Sequence, residues 1–93
     1  MSVSVTLPGA LRPLASGQGR VALPGSPSTV GQALAALWEA FPALRLRVVD
    51  ERGRVRTHVN VFVGADNIRD RQGLETPLDG REEITILPAV SGG

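Results

Sequence analysis

One stretch of this chain carries a helical repeat, and every other regular stretch alternates. Val30, Leu34, Leu37 and Phe41 recur at helical spacing on one stripe, with Ala33 and Ala40 flanking it. Thr29 followed by Gln32 has the spacing of a capping box, and Pro42 stops the run. The spacing predicts one amphipathic helix of about three turns. Trp38 is expected to cover its edge.

The strands frame this helix on both sides. Ser2 to Leu7 alternates strictly, which turns Val3, Val5 and Leu7 toward a core until Pro8-Gly9 ends the run. Ala10 to Gly19 reads as a loop, and Arg20 to Leu23 as a second strand stopped by Pro24-Gly25-Ser26-Pro27. After the helix, Leu44, Leu46, Val48 and Val49 can pack, and residues 50–54 form a polar turn. His58 to Val63 is the clearest strand: Val59, Val61 and Val63 face inward, and His58, Asn60 and Phe62 face outward. Gly64 to Asn67 turns the chain, and Ile68-Arg69 is expected to add a brief edge strand. Leu74 and Leu78 anchor an irregular crossing, and Asp79-Gly80 signals a turn. A last strand runs to Leu87, with Ile84 and Ile86 inward. Strand, strand, helix, strand, short strand, strand implies an α+β domain, a mixed sheet of four to five strands with one main helix on one face. The first and last strands are expected side by side and parallel at its centre, the β-grasp arrangement.

Composition narrows the function. Ninety-three residues make one small domain, too small to enclose a catalytic cavity beside its own core. The formal charge of +1 points to neither nucleic acid nor an anionic membrane. There is no cysteine and a single histidine, His58, which leaves no thiol chemistry and no plausible metal-ligand set. No signal peptide or apolar run of membrane length is present, so a cytoplasmic location is expected. All ten basic residues are arginine, so no side-chain amine can accept an isopeptide bond. Arginines 45, 47, 52, 54 and 56 cluster, interrupted by Asp50 and Glu51; a solvated face is the expected reading, with a binding role as the alternative.

The final residues carry the functional signal. Ile84-Thr85-Ile86-Leu87 runs into Pro88, then Ala89-Val90, then Ser91-Gly92-Gly93. Pro88 closes the strand because it lacks the N–H that a ladder needs. Residues 1–87 are thus expected to form the domain and 88–93 a flexible tail reaching roughly 20 Å. Gly92 and Gly93 have no Cβ, so the end can thread a narrow channel and present its carboxylate beyond it. Outward Phe62 and Leu87, continued by Pro88, Ala89 and Val90, would form an apolar docking patch beside the tail.

These residues resemble the ubiquitin-like sulfur carriers, which include the small subunit of molybdopterin synthase, the thiamine-pathway carrier and the carrier of cysteine biosynthesis. The likeness rests on residues 59–63, Asp66-Asn67-Ile68-Arg69, Leu78-Asp79-Gly80 and residues 83–93. The opening Val3 to Pro8 and Leu11-Arg12-Pro13 are similar to the cysteine-pathway type, as are the extended segment near residues 50–57 and the Leu-Pro-Ala-Val step. The resemblance implies that Gly93 is adenylated by a separate enzyme of the ubiquitin-activating kind, which uses ATP, and is then converted to a thiocarboxylate for a sulfur-accepting synthase. Ser91 and Gly92 would thread the channel. No bound cofactor is expected, since the chain has no phosphate loop with Lys and Ser/Thr. The protein would be a carrier rather than an enzyme. Two alternatives stay open: a covalent protein modifier using the same activated end, and a non-covalent binding module with an inert tail.

Overall fold

Alternating valines build the sheet. The computed structural model describes residues 3–78 and 83–88. Strand β1 (Val3–Thr6) pairs antiparallel with β2 (Arg20–Leu23), setting Val3 opposite Leu23 and Thr6 opposite Arg20. Helix α1 (Val30–Ala40) then crosses the sheet, followed by a short helix α2 (Arg45–Val48). Strand β3 (Val59–Val63) turns back through the two-residue β4 (Asp66–Asn67), and β5 (Glu83–Pro88) closes the order β2-β1-β5-β3-β4. β5 is central. It runs parallel to β1, with Val5 opposite Ile84, and antiparallel to β3, with Val61 opposite Ile86. The expected β-grasp arrangement is the one observed.

The core lies between the sheet and α1. Val5, Val61, Val63, Ile84 and Ile86 meet Val30, Leu34 and Leu37, and each of these side chains is buried to 1% exposure or less. Trp38 and Phe41 pack on its margin, half-buried. Ala40, expected to flank the stripe, is exposed. Thr29 caps the helix: its Oγ1 accepts from the N–H of Gln32 at 3.2 Å. The reciprocal arm lands one residue early, because the Gln32 Oε1 accepts from the N–H of Ser28.

The irregular crossing is bound to the helix start. Val30 N–H donates to the Thr76 carbonyl, and Leu78 N–H to that of Ser28. A Cβ on Gly31 would lie 3.1 Å from the Leu74 carbonyl oxygen, so only glycine permits this approach without a shift.

Several connections are more ordered than their composition suggests. Gly9–Ala15, expected as loop, is a 3₁₀ helix, and the Arg12 Nε donates to the Leu7 carbonyl. Ile68-Arg69 is not an edge strand: pairing stops at Asn67, and Ile68–Asp70 is a 3₁₀ turn. The cause is local, since the Asn67 Oδ1 accepts from the Arg69 N–H at 3.0 Å and caps that turn while Ile68 is buried. Of the apolar residues after the main helix, Leu44, Val48 and Val49 are buried, but Leu46 is 49% exposed. The Asp79-Gly80 turn lies outside the described residues. No helix among the described residues is long and apolar enough to cross a membrane.

Candidate functional site

The sheet face opposite α1 is where Phe62 and Leu87 fall, whereas Pro88 follows the parity of inward Ile84 and Ile86. Register fixes this face, because paired residues point the same way. Ser4 and Thr6 of β1, Glu83, Thr85 and Leu87 of β5, and Asn60 and Phe62 of β3 share it. Most of it is polar and internally bonded: Arg20 Nε donates to Ser4 Oγ, and Thr6 Oγ1 donates to Glu83 Oε1, each at 3.1 Å. Phe62 and Leu87 are its large apolar groups.

Phe62 stands opposite Thr85, and Leu87 opposite Asn60. The two are therefore diagonal neighbours, about 7–8 Å apart at the backbone and within reach of an aromatic side chain. Phe62 is half-buried and Leu87 is 43% exposed. Pro88 is exposed and is the last residue of β5, with Val59 opposite it. Ala89, Val90, Ser91, Gly92 and Gly93 lie outside the described residues.

The end of β5 is held on one side only. β1 accompanies it no further than the Thr6–Thr85 pair, whereas β3 follows it to Pro88. The chain leaves β1 because the Leu7 N–H goes to the Gly19 carbonyl at 2.8 Å and Pro8 follows with no N–H to give. A shallow groove of about 170 Å³ opens there, lined by Pro8, Ala10, Leu11, Arg47, His58, Val59, Ile86, Leu87 and Pro88. It is an apolar trough with one arginine and one histidine, beside the end of β5.

A cluster of hydrogen bonds steadies the opposite flank. Arg69 Nη1 donates to Asn60 Oδ1 at 2.9 Å, and its Nη2 donates to the carbonyls of Arg56 and Val59 at 2.6 and 2.7 Å. Asn67 Nδ2 donates to the same Asn60 oxygen. The guanidinium thus ties the entry of β3, beside the end of β5, to the turn after β4.

The arginine segment is built on a tight turn. Val49 bridges to Val55, Gly53 sits at φ +83°, and the Asp50 Oδ1 accepts from the N–H groups of Arg54 and Arg52. Those backbone bonds, Arg54 first, hold the Asp50 carboxyl below its ordinary value, with the Arg54 and Arg56 charges assisting and desolvation opposing. Among the described residues, no group of three or more His, Cys, Asp or Glu side chains could hold a metal ion.

Comparison with known proteins places this geometry. The sequence profile of the ThiS family matches residues 5–93. The chain belongs to the ThiS family. It is 34% identical to the sulfur carrier protein CysO of Mycobacterium tuberculosis, over the full length of both chains. A chain in the crystal structure of the Amycolatopsis orientalis BexX/CysO complex superposes with a TM-score of 0.85 at 31% identity, covering 98% of this chain and 99% of the other. Small archaeal modifier protein 3 of Haloferax volcanii is 32% identical over 71% of each chain.

The sequence of this ThiS-family chain predicts the outward placement of Phe62 and Leu87, which the structure shows, but not the groove. Pro8 with Leu11, Arg47, and His58 come from three separate segments, and no spacing relates the three. It also missed the Arg69 clasp, for which Asn60 and Asn67 near an arginine were the available signal.

Proposed function

We propose that this protein is a sulfur carrier whose C-terminal carboxylate is converted to a thiocarboxylate. A free α-carboxylate has a pKa of about 3.5, so near neutrality it is an anion and resists nucleophiles. Activation requires a partner of the ubiquitin-activating kind: the Gly93 carboxylate attacks the α-phosphorus of ATP and pyrophosphate leaves. A sulfur nucleophile at the oxidation level of sulfide then adds to the acyl adenylate and expels AMP, leaving the thiocarboxylate for an accepting synthase. ATP is thus the partner's substrate rather than a cofactor of this chain. Ser91 and Gly92 thread the partner's channel, and Phe62, Leu87, Pro88, Ala89 and Val90 dock against its mouth.

The observation that carries this reading is the central position of β5, paired on both sides and held by β3 as far as Pro88, five residues before Gly93. A rigid base lets remote contacts orient a reacting terminus, and orientation governs the rate of such transfers. The full-length similarity to a protein named as a sulfur carrier supports the chemistry. The same similarity, together with the extended 50–57 segment, favours cysteine biosynthesis as the pathway.

A second reading, covalent modification of target lysines through the same activated Gly93, is favoured by the similarity to a small archaeal modifier. Mass spectrometry of the intact protein from its own host separates the two. A species heavier by the sulfur–oxygen difference is expected; branched conjugates without it would favour the modifier, and an unchanged carboxylate alone would overturn both. Deleting Gly93 should leave the unfolding midpoint unchanged and abolish thiocarboxylate formation.

A further inference from the structure

The arginine segment, read from sequence as a solvated face, is joined by the fold to the root of the tail. Arg47 and His58 line the groove beside Leu87 and Pro88. His58 also lines a second depression of about 320 Å³, together with Arg54 and Arg56. The two hollows share His58, so a track carrying Arg47, Arg54 and Arg56 runs from the end of β5 to the base of the 50–54 turn. Charge is segregated along the chain as well: residues 45–56 hold five arginines and two carboxylates, whereas the remainder holds five arginines and seven carboxylates. Asp50 lines the second depression and accepts from backbone N–H groups, and with Glu51 it leaves the strip five guanidinium groups against two carboxylates.

We infer that this strip is a second docking surface, matched to a carboxylate-rich face on the activating enzyme beside the channel that receives the tail. The inference rests on the proposed sulfur-carrier reading for the identity of that partner. Complementary charge flanking an apolar anchor steers encounter and fixes orientation more than it adds affinity. Here it would align the tail with the channel before Leu87 and Phe62 make contact. An acidic protein face fits the strip better than nucleic acid does, because Asp50 and Glu51 interrupt the arginines and no aromatic side chain lies between them for bases to stack on.

The test measures kcat/KM for thiocarboxylate formation by the host's adenylating enzyme with ATP and a sulfide source, using the full chain. Arg56 is anchored on the Leu46 carbonyl, so substitutions are placed at exposed Arg47 and Arg54. The double variant Arg47→Gln/Arg54→Gln should lose about tenfold in kcat/KM at low salt, mostly through KM, with the gap closing near 1 M salt as the screening length falls to about 3 Å. Arg71→Gln removes one charge outside the strip, from an exposed pair with Asp66, and should leave kcat/KM unchanged, whereas Arg47→Gln alone, also one charge, should lower it. Wild-type conversion with no salt dependence and no loss in the double variant would overturn the inference while the carrier reading stood. No thiocarboxylate on the wild type would overturn both. A short fluorescent DNA duplex bound with the same arginine dependence would assign the strip to nucleic acid and overturn the inference alone.

Discussion

At the scale of single residues, position on the sheet separates side chains that build the domain from those free to meet a partner. Leu87 is 43% exposed although its neighbour Ile86 is buried, because successive strand residues face opposite ways. Leu87→Asp should therefore leave the unfolding midpoint nearly unchanged and lower affinity for the activating enzyme at least tenfold, about 1.4 kcal/mol, as measured by calorimetry. Unaltered affinity would move the docking patch elsewhere. Arg69 has the reverse character: it is exposed, yet its guanidinium serves two carbonyls and the Asn60 amide oxygen. Arg69→Ala should cost about 1 kcal/mol, because the Arg56 and Val59 carbonyls lose their charged donor at a largely exposed site while the Asn60 oxygen keeps Asn67. Faster amide exchange at the start of β3, with α1 unaffected, would show that the loss is local.

At the scale of elements, the 50–54 turn is the clearest case of chemistry fixing shape. Glycine at positive φ closes it, and one carboxylate oxygen receives two backbone N–H groups. The Asp50 pKa is lowered in the fold from an ordinary value of 3.8. A depressed folded pKa means that its contribution is fully present above the unfolded value and is lost as pH falls through the folded one. Amide protection of Arg52 and Arg54 should therefore hold at neutral pH and fall only below about pH 3.8. Asp50→Asn should remove that pH dependence, and persistence of the dependence in the variant would assign it to another group. Because the turn carries arginines of the proposed docking strip, its loosening should also slow association with an acidic partner.

At the scale of the whole molecule, one layer of side chains joins helix to sheet. Leu34 on α1 and Ile86 on β5 are each 1% exposed. Leu34→Ala or Ile86→Ala should cost about 2–5 kcal/mol, against a total of roughly 5–15 kcal/mol for a domain of this kind. Chemical denaturation reads this directly, and an unchanged midpoint for either would contradict its place in the core. The Ile86 variant should also reduce the rate of tail processing, since β5 is both a core strand and the base of the tail.

The periodicity of the chain determined the helix, its Thr29 cap and the inward valines and isoleucines, because these depend on neighbours within a few residues. The parallel pairing of first and last strands followed from element order, since a crossover helix leaves few other arrangements. Leu87 and Phe62 were legible as outward residues for the same reason. Local hydrogen bonds that no pattern announces ended the sheet at Asn67 and coiled Gly9–Ala15, and the short helix α2, which buries Val48, left Leu46 exposed. The groove at the end of β5 was decided by tertiary structure alone. It exists because β1 turns away at Pro8 while β3 continues, and that difference in strand length brings Leu11, Arg47 and His58 from distant parts of the chain to one place.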